Sequence, residues 1–138
     1  MEDQTKKARE TIIIKEIELK LNSGNYKVVL AELRKLRTAG KPLVLPYILN
    51  LLNTSQDEEI IKEVVNFLAI LKDQKSVPAI AEYLSNHLNL NLSKIIATCW
   101  QNGLDYSNYL NVFADCFVKG NYEQSLESFT VIEEMLWL

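Results

Sequence analysis

Leu45-Pro-Tyr-Ile-Leu-Asn-Leu-Leu52 and Val77-Pro-Ala-Ile-Ala-Glu-Tyr-Leu84 lie 32 residues apart and share a proline, an isoleucine and a closing leucine at matching places. A second echo has three times that period: Gly24-Asn25-Tyr26 returns 96 residues later as Gly120-Asn121-Tyr122. Self-similarity at a fixed period of this size marks an array of short supersecondary units, each too small to bury its own apolar face. Second helices begun at Tyr26, Glu58, Leu90 and Tyr122 bring Leu33, Val65, Ala97 and Phe129 into one column. Leu36, Leu68, Trp100 and Ile132 form another. Two apolar columns three residues apart are what one buried helix face requires.

Outward from these segments, apolar residues recur at helical spacing almost throughout, and alternating strand-like runs are absent. The spacing predicts eight helices, at about 5-22, 26-38, 44-53, 57-71, 77-88, 92-102, 107-119 and 122-136. Gly24 and Gly40 stand just past predicted helix ends, and Pro46 and Pro78 in first turns, where a missing N-H is harmless. Ser55 or Asp57 would cap the fourth helix and Ser107 the seventh. Short connections make successive helices antiparallel pairs, so the expected fold is all-α: about four pairs, roughly 5-38, 44-71, 77-102 and 107-136, in a single domain over residues 1-138. Ile60, Ile61, Val64, Val65, Leu68 and Leu71 give the fourth helix an apolar surface wider than one stripe, as a central helix needs.

The 138 residues suffice for one continuous core. With 48% hydrophobic and 24% charged residues, the composition is that of a globular protein. The charged start and the brevity of Ile12-Ile13-Ile14 give neither a signal segment nor a membrane span. Cys99 and Cys116 sit in apolar helical stretches, where reduced buried thiols are the expectation, and a cytoplasmic location with it. The net charge of -3 is unevenly spread. Residues 1 to 41 carry ten Lys/Arg against six Asp/Glu, and residues 42 to 138 five against twelve. Arg34, Lys35, Arg37 and Lys41 form a basic end that could attract phosphate, yet cations in a last turn also complement the negative end of a helix.

The stretch Asp57-Glu-Glu-Ile-Ile-Lys-Glu-Val-Val-Asn-Phe-Leu-Ala-Ile-Leu-Lys-Asp-Gln-Lys-Ser-Val-Pro-Ala-Ile80 resembles HEAT-like repeats of the phycobilisome-lyase type. In that pattern an acidic turn opens the second helix, a leucine pair closes it, an aspartate marks the turn and Val-Pro-x-hydrophobic begins the next unit. Asp57, Leu68, Leu71, Asp73, Val77, Pro78 and Ile80 match. Arginine is frequent in the family where Ile61 or Lys62 stands, and alanines where Val64, Val65 and Phe67 stand. The resemblance covers residues 57 to 84 and implies a right-handed α-α superhelix, a HEAT-like solenoid. Gly-Asn-Tyr before a helix also looks like tetratricopeptide repeats, whose Trp, Gly, Tyr and Ala pattern is missing here.

Motifs for chemistry are sparse. His87 is the single histidine, with no second His or Cys at ligand spacing, and a solvated or helix-terminal place accounts for it. The cysteines lack CxxC spacing, and the four glycines form no phosphate cradle. Asp57-Glu58-Glu59 at a helix start is explained by the exposed N-H groups there. Glu133 and Glu134, near a helix end, suit a binding surface better than catalysis. Neither an enzyme nor a cofactor is therefore expected, and a bilin-lyase activity has no evident nucleophile or acid. Trp100, Phe113, Phe117 and Phe129 are expected on inner faces. Tyr106 and Tyr109, at a loop-to-helix step, are expected as partly exposed anchors for a partner.

In an array of this type the second helices line up, and the 32-residue register assigns their outward ridge to Arg34, Lys62, Asn66, Lys94, Thr98, Gln101 and Thr130. The expected function is protein or peptide binding along that ridge. The alternative is nucleic-acid binding of the kind seen in HEAT-like alkylpurine glycosylases, for which the ridge has few cations and aromatic platforms. The apolar Met135-Leu136-Trp137-Leu138 either folds back on the last pair, continues into further chain, or meets a second copy as a homodimer contact.

Overall fold

The computed structural model describes residues 2-39, 42-86 and 91-137. Gly40, Lys41, His87, Leu90 and Leu138 lie outside them. Among the described residues there are eight α-helices and no strand: α1 (Glu2–Leu21), α2 (Tyr26–Ala39), α3 (Leu45–Thr54), α4 (Glu58–Ala69), α5 (Val77–Asn86), α6 (Leu92–Gln101), α7 (Leu110–Lys119) and α8 (Tyr122–Leu136). Short 3-10 turns at Pro42–Val44, Gln74–Ser76 and Ser107–Tyr109 precede α3, α5 and α7. Among the described residues no helix is long and apolar enough to cross a membrane. The chain divides into two compact units, Met1–Glu63 and Val64–Leu138, with the division inside α4.

In the first unit α1 packs on α2 and α3. Ile17 and Leu21 of α1, Val29, Leu30, Leu33 and Leu36 of α2, and Leu45, Ile48, Leu49 and Leu52 of α3 are buried. Each such side chain contributes roughly 1.5-3 kcal/mol of burial against the entropy of ordering it. In the second unit α8 packs against both α6 and α7, and α5 against α7. There Ile80, Ile95, Ile96, Cys99 and Phe113 have no exposed surface.

The burial pattern repeats every 32 residues. Ile17, Leu49, Ala81 and Phe113 are buried on the odd-numbered helices, and Glu32, Val64, Ile96 and Ser128 on the even-numbered ones. The second column stands one residue before the expected Leu33, Val65, Ala97 and Phe129. One residue is about 100° of helical rotation, which decides what faces outward. Leu33 is also buried, Val65 and Ala97 are half-buried, and Phe129 is 50% exposed. The inner-face expectation for aromatics is corrected as well: Phe113 is enclosed, but Trp100, Phe117 and Phe129 are 40%, 46% and 50% exposed, and the offset accounts for Phe129. Polar members concealed the column. Glu32 is buried and satisfied by the Lys20 ammonium at 3.6 Å, and Ser128 is small enough for close helix contact.

Helix starts repeat at the same period. Asn25 Oδ1 accepts from the Lys27 and Val28 amides, and Asp57 Oδ1 from the Glu59 and Ile60 amides. Asn121 Oδ1 accepts from the Gln124 amide at 2.9 Å, while Gln124 Oε1 accepts from the Asn121 amide at 3.0 Å, a reciprocal capping box. Asp57 is thus the cap of α4, and Ser55 instead closes α3, its amide donating to the Leu51 carbonyl. Ser107 does not cap α7, because a 3-10 turn intervenes; its amide donates to Asp105 Oδ1. Gly24 has φ +71, the left-handed stop expected after α1. Gly120 has φ -79 and serves differently: a Cβ there would lie 2.5 Å from the Cys116 carbonyl oxygen and 2.7 Å from Gln124 Cβ.

Candidate functional site

The expected ridge falls partly at the surface. Arg34 and Lys62 are exposed in the first unit, and Asn66, Lys94 and Gln101 in the second. Arg34 is engaged, with its Nε 3.6 Å from Glu63, whose other oxygen lies 3.7 Å from Arg37. Thr130 is half-buried and its hydroxyl donates to the Leu126 carbonyl. Thr98 is a correction: it is fully buried, and its hydroxyl donates to the Ile95 carbonyl of its own helix. The cause is local to α6, which is buried around more than half of its circumference, at Leu92, Ser93, Ile95, Ile96, Thr98 and Cys99, whereas the equivalent Arg34 and Asn66 face outward.

Tyr106 is a second correction. It has no exposed surface and stands edge-on to Phe113, ring centroids 5.6 Å apart at 86°. Its amide donates to Met135 Sδ at 3.1 Å, and its hydroxyl is held by Asn102. Burial of the ring pushes the phenol pKa well above its usual value. Tyr109 is half-buried at the start of α7. Tyr106 is therefore no anchor, while Tyr109 keeps the partial exposure expected of it. The i, i+4 relation of Asn102 to Tyr106, with Phe113 seven residues further, was the available signal.

Asn102, which nothing in the sequence singles out, organises the turns of the second unit. Its Nδ2 donates to the Leu68 carbonyl at 3.2 Å, and its Oδ1 accepts from the Leu104 amide at 3.0 Å. Lys72 Nζ donates to the Asn102 carbonyl at 3.1 Å, closing the C-terminal end of α6 with a cation. Nearby, Gln74 and Asp105 exchange two bonds: Gln74 Nε2 donates to the Asp105 carbonyl at 2.6 Å, and the Asp105 amide donates to Gln74 Oε1 at 2.9 Å. Hydrogen bonds from Ser107, side chain first and then backbone, hold the Asp105 carboxyl below its ordinary range.

Two cavities accompany these surfaces. One of about 460 Å³ in the first unit is lined by Leu21, Gly24, Tyr26, Asp57 and Ile60 among others. At its edge the Tyr26 hydroxyl donates to Glu59, which raises the phenol pKa to about 12, with desolvation and the carboxylate charge adding to the effect. Another of about 290 Å³ in the second unit is lined by Leu84, Leu92, Val112, Cys116 and Gln124 among others. Both thiols are free and buried. Burial pushes Cys99 up to about 12 and raises Cys116, so both are protonated and poorly nucleophilic at neutral pH. Among the described residues no group of three or more His, Cys, Asp or Glu is placed to hold a metal ion.

What is exposed is apolar and acidic on one helix. Tyr122, Leu126, Phe129 and Leu136 of α8 are 81%, 50%, 50% and 72% exposed, and Phe117 lies beside Phe129 with centroids 6.3 Å apart. α8 carries Glu123, Glu127, Glu133 and Glu134 and no Lys or Arg. The indole of Trp100 donates to Glu127 at 2.7 Å. Compared with known proteins, the chain matches no family model, no curated protein and no solved structure.

Proposed function

We propose that this chain is a non-enzymatic binding module, a right-handed HEAT-like stack of helix pairs that engages a protein or peptide along the exposed face of its even-numbered helices. The observation that carries the reading is the 32-residue period shared by the buried columns and by the caps Asn25, Asp57 and Asn121. A repeat of that kind leaves one equivalent outward face per unit, and here those faces hold Arg34, Lys62, Asn66, Lys94 and Gln101. Polar side chains on rigid helices present hydrogen-bond donors and acceptors at little entropic cost, as peptide recognition requires. The protonated, buried thiols fit a reducing cytoplasmic setting.

A nucleic-acid partner is the second reading, and the cationic α2, with Lys27, Arg34, Lys35 and Arg37, favours it. The shared engagement of Arg34 and Arg37 by Glu63 weakens it, since paired guanidinium groups neutralise fewer phosphates. The test compares the wild type with the triple variant Lys62→Glu, Asn66→Glu, Lys94→Glu by cross-linking and affinity capture. Loss of the captured partner at unchanged circular dichroism supports the ridge, and unchanged capture removes it. Binding to a duplex oligonucleotide that falls steeply with added salt would favour the second reading.

A further inference from the structure

The first and last helices each bury one face and expose a second apolar stripe on the other. α1 buries Ile17 and Leu21, and exposes Ala8, Ile12, Lys15 and Leu19, spaced by four, three and four residues. α8 buries Gln124, Ser128 and Val131, and exposes Tyr122, Leu126, Phe129, Glu133 and Leu136, spaced by four, three, four and three. Alternation of three and four keeps a stripe on one side of a helix and is the spacing of a helix-helix seam. Each stripe carries a single charge within it, Lys15 in one and Glu133 in the other.

We propose that the protein associates with a second copy of itself head to tail, the outer stripe of α1 in one molecule docking on the outer stripe of α8 in the next. The spacing selects the register. With the helices antiparallel, Lys15 set against Glu133 brings Leu19 onto Phe129 and Ile12 onto Leu136, so an opposite-charge pair is flanked by apolar contacts on both sides. The parallel orientation cannot do this, because the three-residue step from Ile12 to Lys15 would meet the four-residue step from Phe129 to Glu133. Like-with-like docking is worse. Antiparallel α8 on α8 sets Glu133 against Phe129, and α1 on α1 sets Lys15 against Ile12, each burying a charge without a counter-ion. The remaining carboxylates of α8, Glu123, Glu127 and Glu134, repel a second α8 further. The contact is heterologous, with a different surface on each side, so it propagates into open chains or closes into a ring. It is independent of the ridge, which uses other residues.

Sedimentation velocity on the full chain, from low micromolar to about 1 mM, the weak end of specific association, tests this. The expected result is a mass that rises with concentration above 15.9 kDa and rises less at high salt. Lys15→Glu and Glu133→Lys each abolish the rise with unchanged helicity, since both positions are exposed. The double variant restores it, and so does an equimolar mixture of the two single variants, in which every contact regains a charge pair. A wild type that stays monomeric throughout overturns the proposal. So does a rise that survives either single variant, one that stops at a dimer insensitive to Lys15→Glu, or a double variant that remains monomeric.

Discussion

Asn102 donates from its side-chain amide to the hydroxyl of Tyr106 at 3.0 Å, and both residues are buried. The same amide reaches the Leu68 carbonyl at the end of α4, so one side chain ties two helix ends and a turn together. Asn102→Ala leaves the Leu104 amide and the Leu68 carbonyl without that partner in a buried setting, and should cost about 3 kcal/mol. Tyr106→Phe removes one bond and keeps the ring against Phe113, and should cost about 1 kcal/mol. Urea midpoints at constant m-value give both; equal losses in the two variants would mean that the bond between the two side chains, not the reach of Asn102 to Leu68 and Leu104, holds the turn.

Leu68 has no exposed surface, whereas Phe129 is half open to solvent. Leu68→Ala should therefore destabilise by about 2-5 kcal/mol, while Phe129→Ala should cost under about 1 kcal/mol, chiefly its contact with Phe117. Thermal unfolding of the pair separates the observed burial phase from one shifted by a residue, in which Phe129 would be the costlier loss.

That shift marks the limit of what the sequence could convey. The eight helices were legible because apolar spacing, Pro46, Pro78 and Gly24 all agree on their ends. The rotation of the even-numbered helices was not, because their innermost column contains Glu32 and Ser128, and the neighbouring column offers Leu33 and Phe129. Hydrophobicity alone then points about 100° away from the core. Thr98 departs from the ridge for a local reason, the burial of α6 around more than half of its circumference. Tyr106 was misplaced for another reason: a tyrosine in a turn is enclosed here by Asn102, Phe113 and Met135, the last of them 29 residues away in the chain. Of the expected caps only Asp57 stands, while Asn25 and Asn121, inside the repeated Gly-Asn-Tyr, share its period, with Asn89 at the corresponding sequence position.

Replacing the caps tests their equivalence. Asp57→Ala and Asn121→Ala should each lower stability by about 1 kcal/mol, with the loss at Asn121 the larger because its capping box also satisfies the Asn121 amide through Gln124. Asn121→Asp should retain most of the stability. Denaturant titration of the single variants and their double combination reads both the sizes and their additivity.

Cys99 imposes a pH dependence. Its folded pKa, pushed by burial to about 12, exceeds the unfolded value near 9. The unfolded chain therefore releases this proton first as pH rises. The stabilisation is fully present below about pH 9 and is lost progressively between about 9 and 12. Cys99→Ala should be less stable at pH 7 through the cavity it leaves, and should show a shallower decline over that alkaline range. A thiol reagent at pH 8 should label Cys116 ahead of Cys99, followed by mass spectrometry of the peptides. Prompt labelling of Cys99 would contradict its enclosure.

The 32-residue phase of burial also constrains how such a chain can change length. Excision or duplication of a whole period, cut at Asn25, Asp57 or Asn121, keeps the caps and the two shared buried columns in phase. Adding or removing one residue within a helix instead swings all later positions of that helix by about 100°, exposing what Val64 or Ile96 now conceals. Evolutionary drift in size should accordingly come in whole steps or in the turns, and a library of indels scored for solubility would show survivors concentrated at multiples of the period.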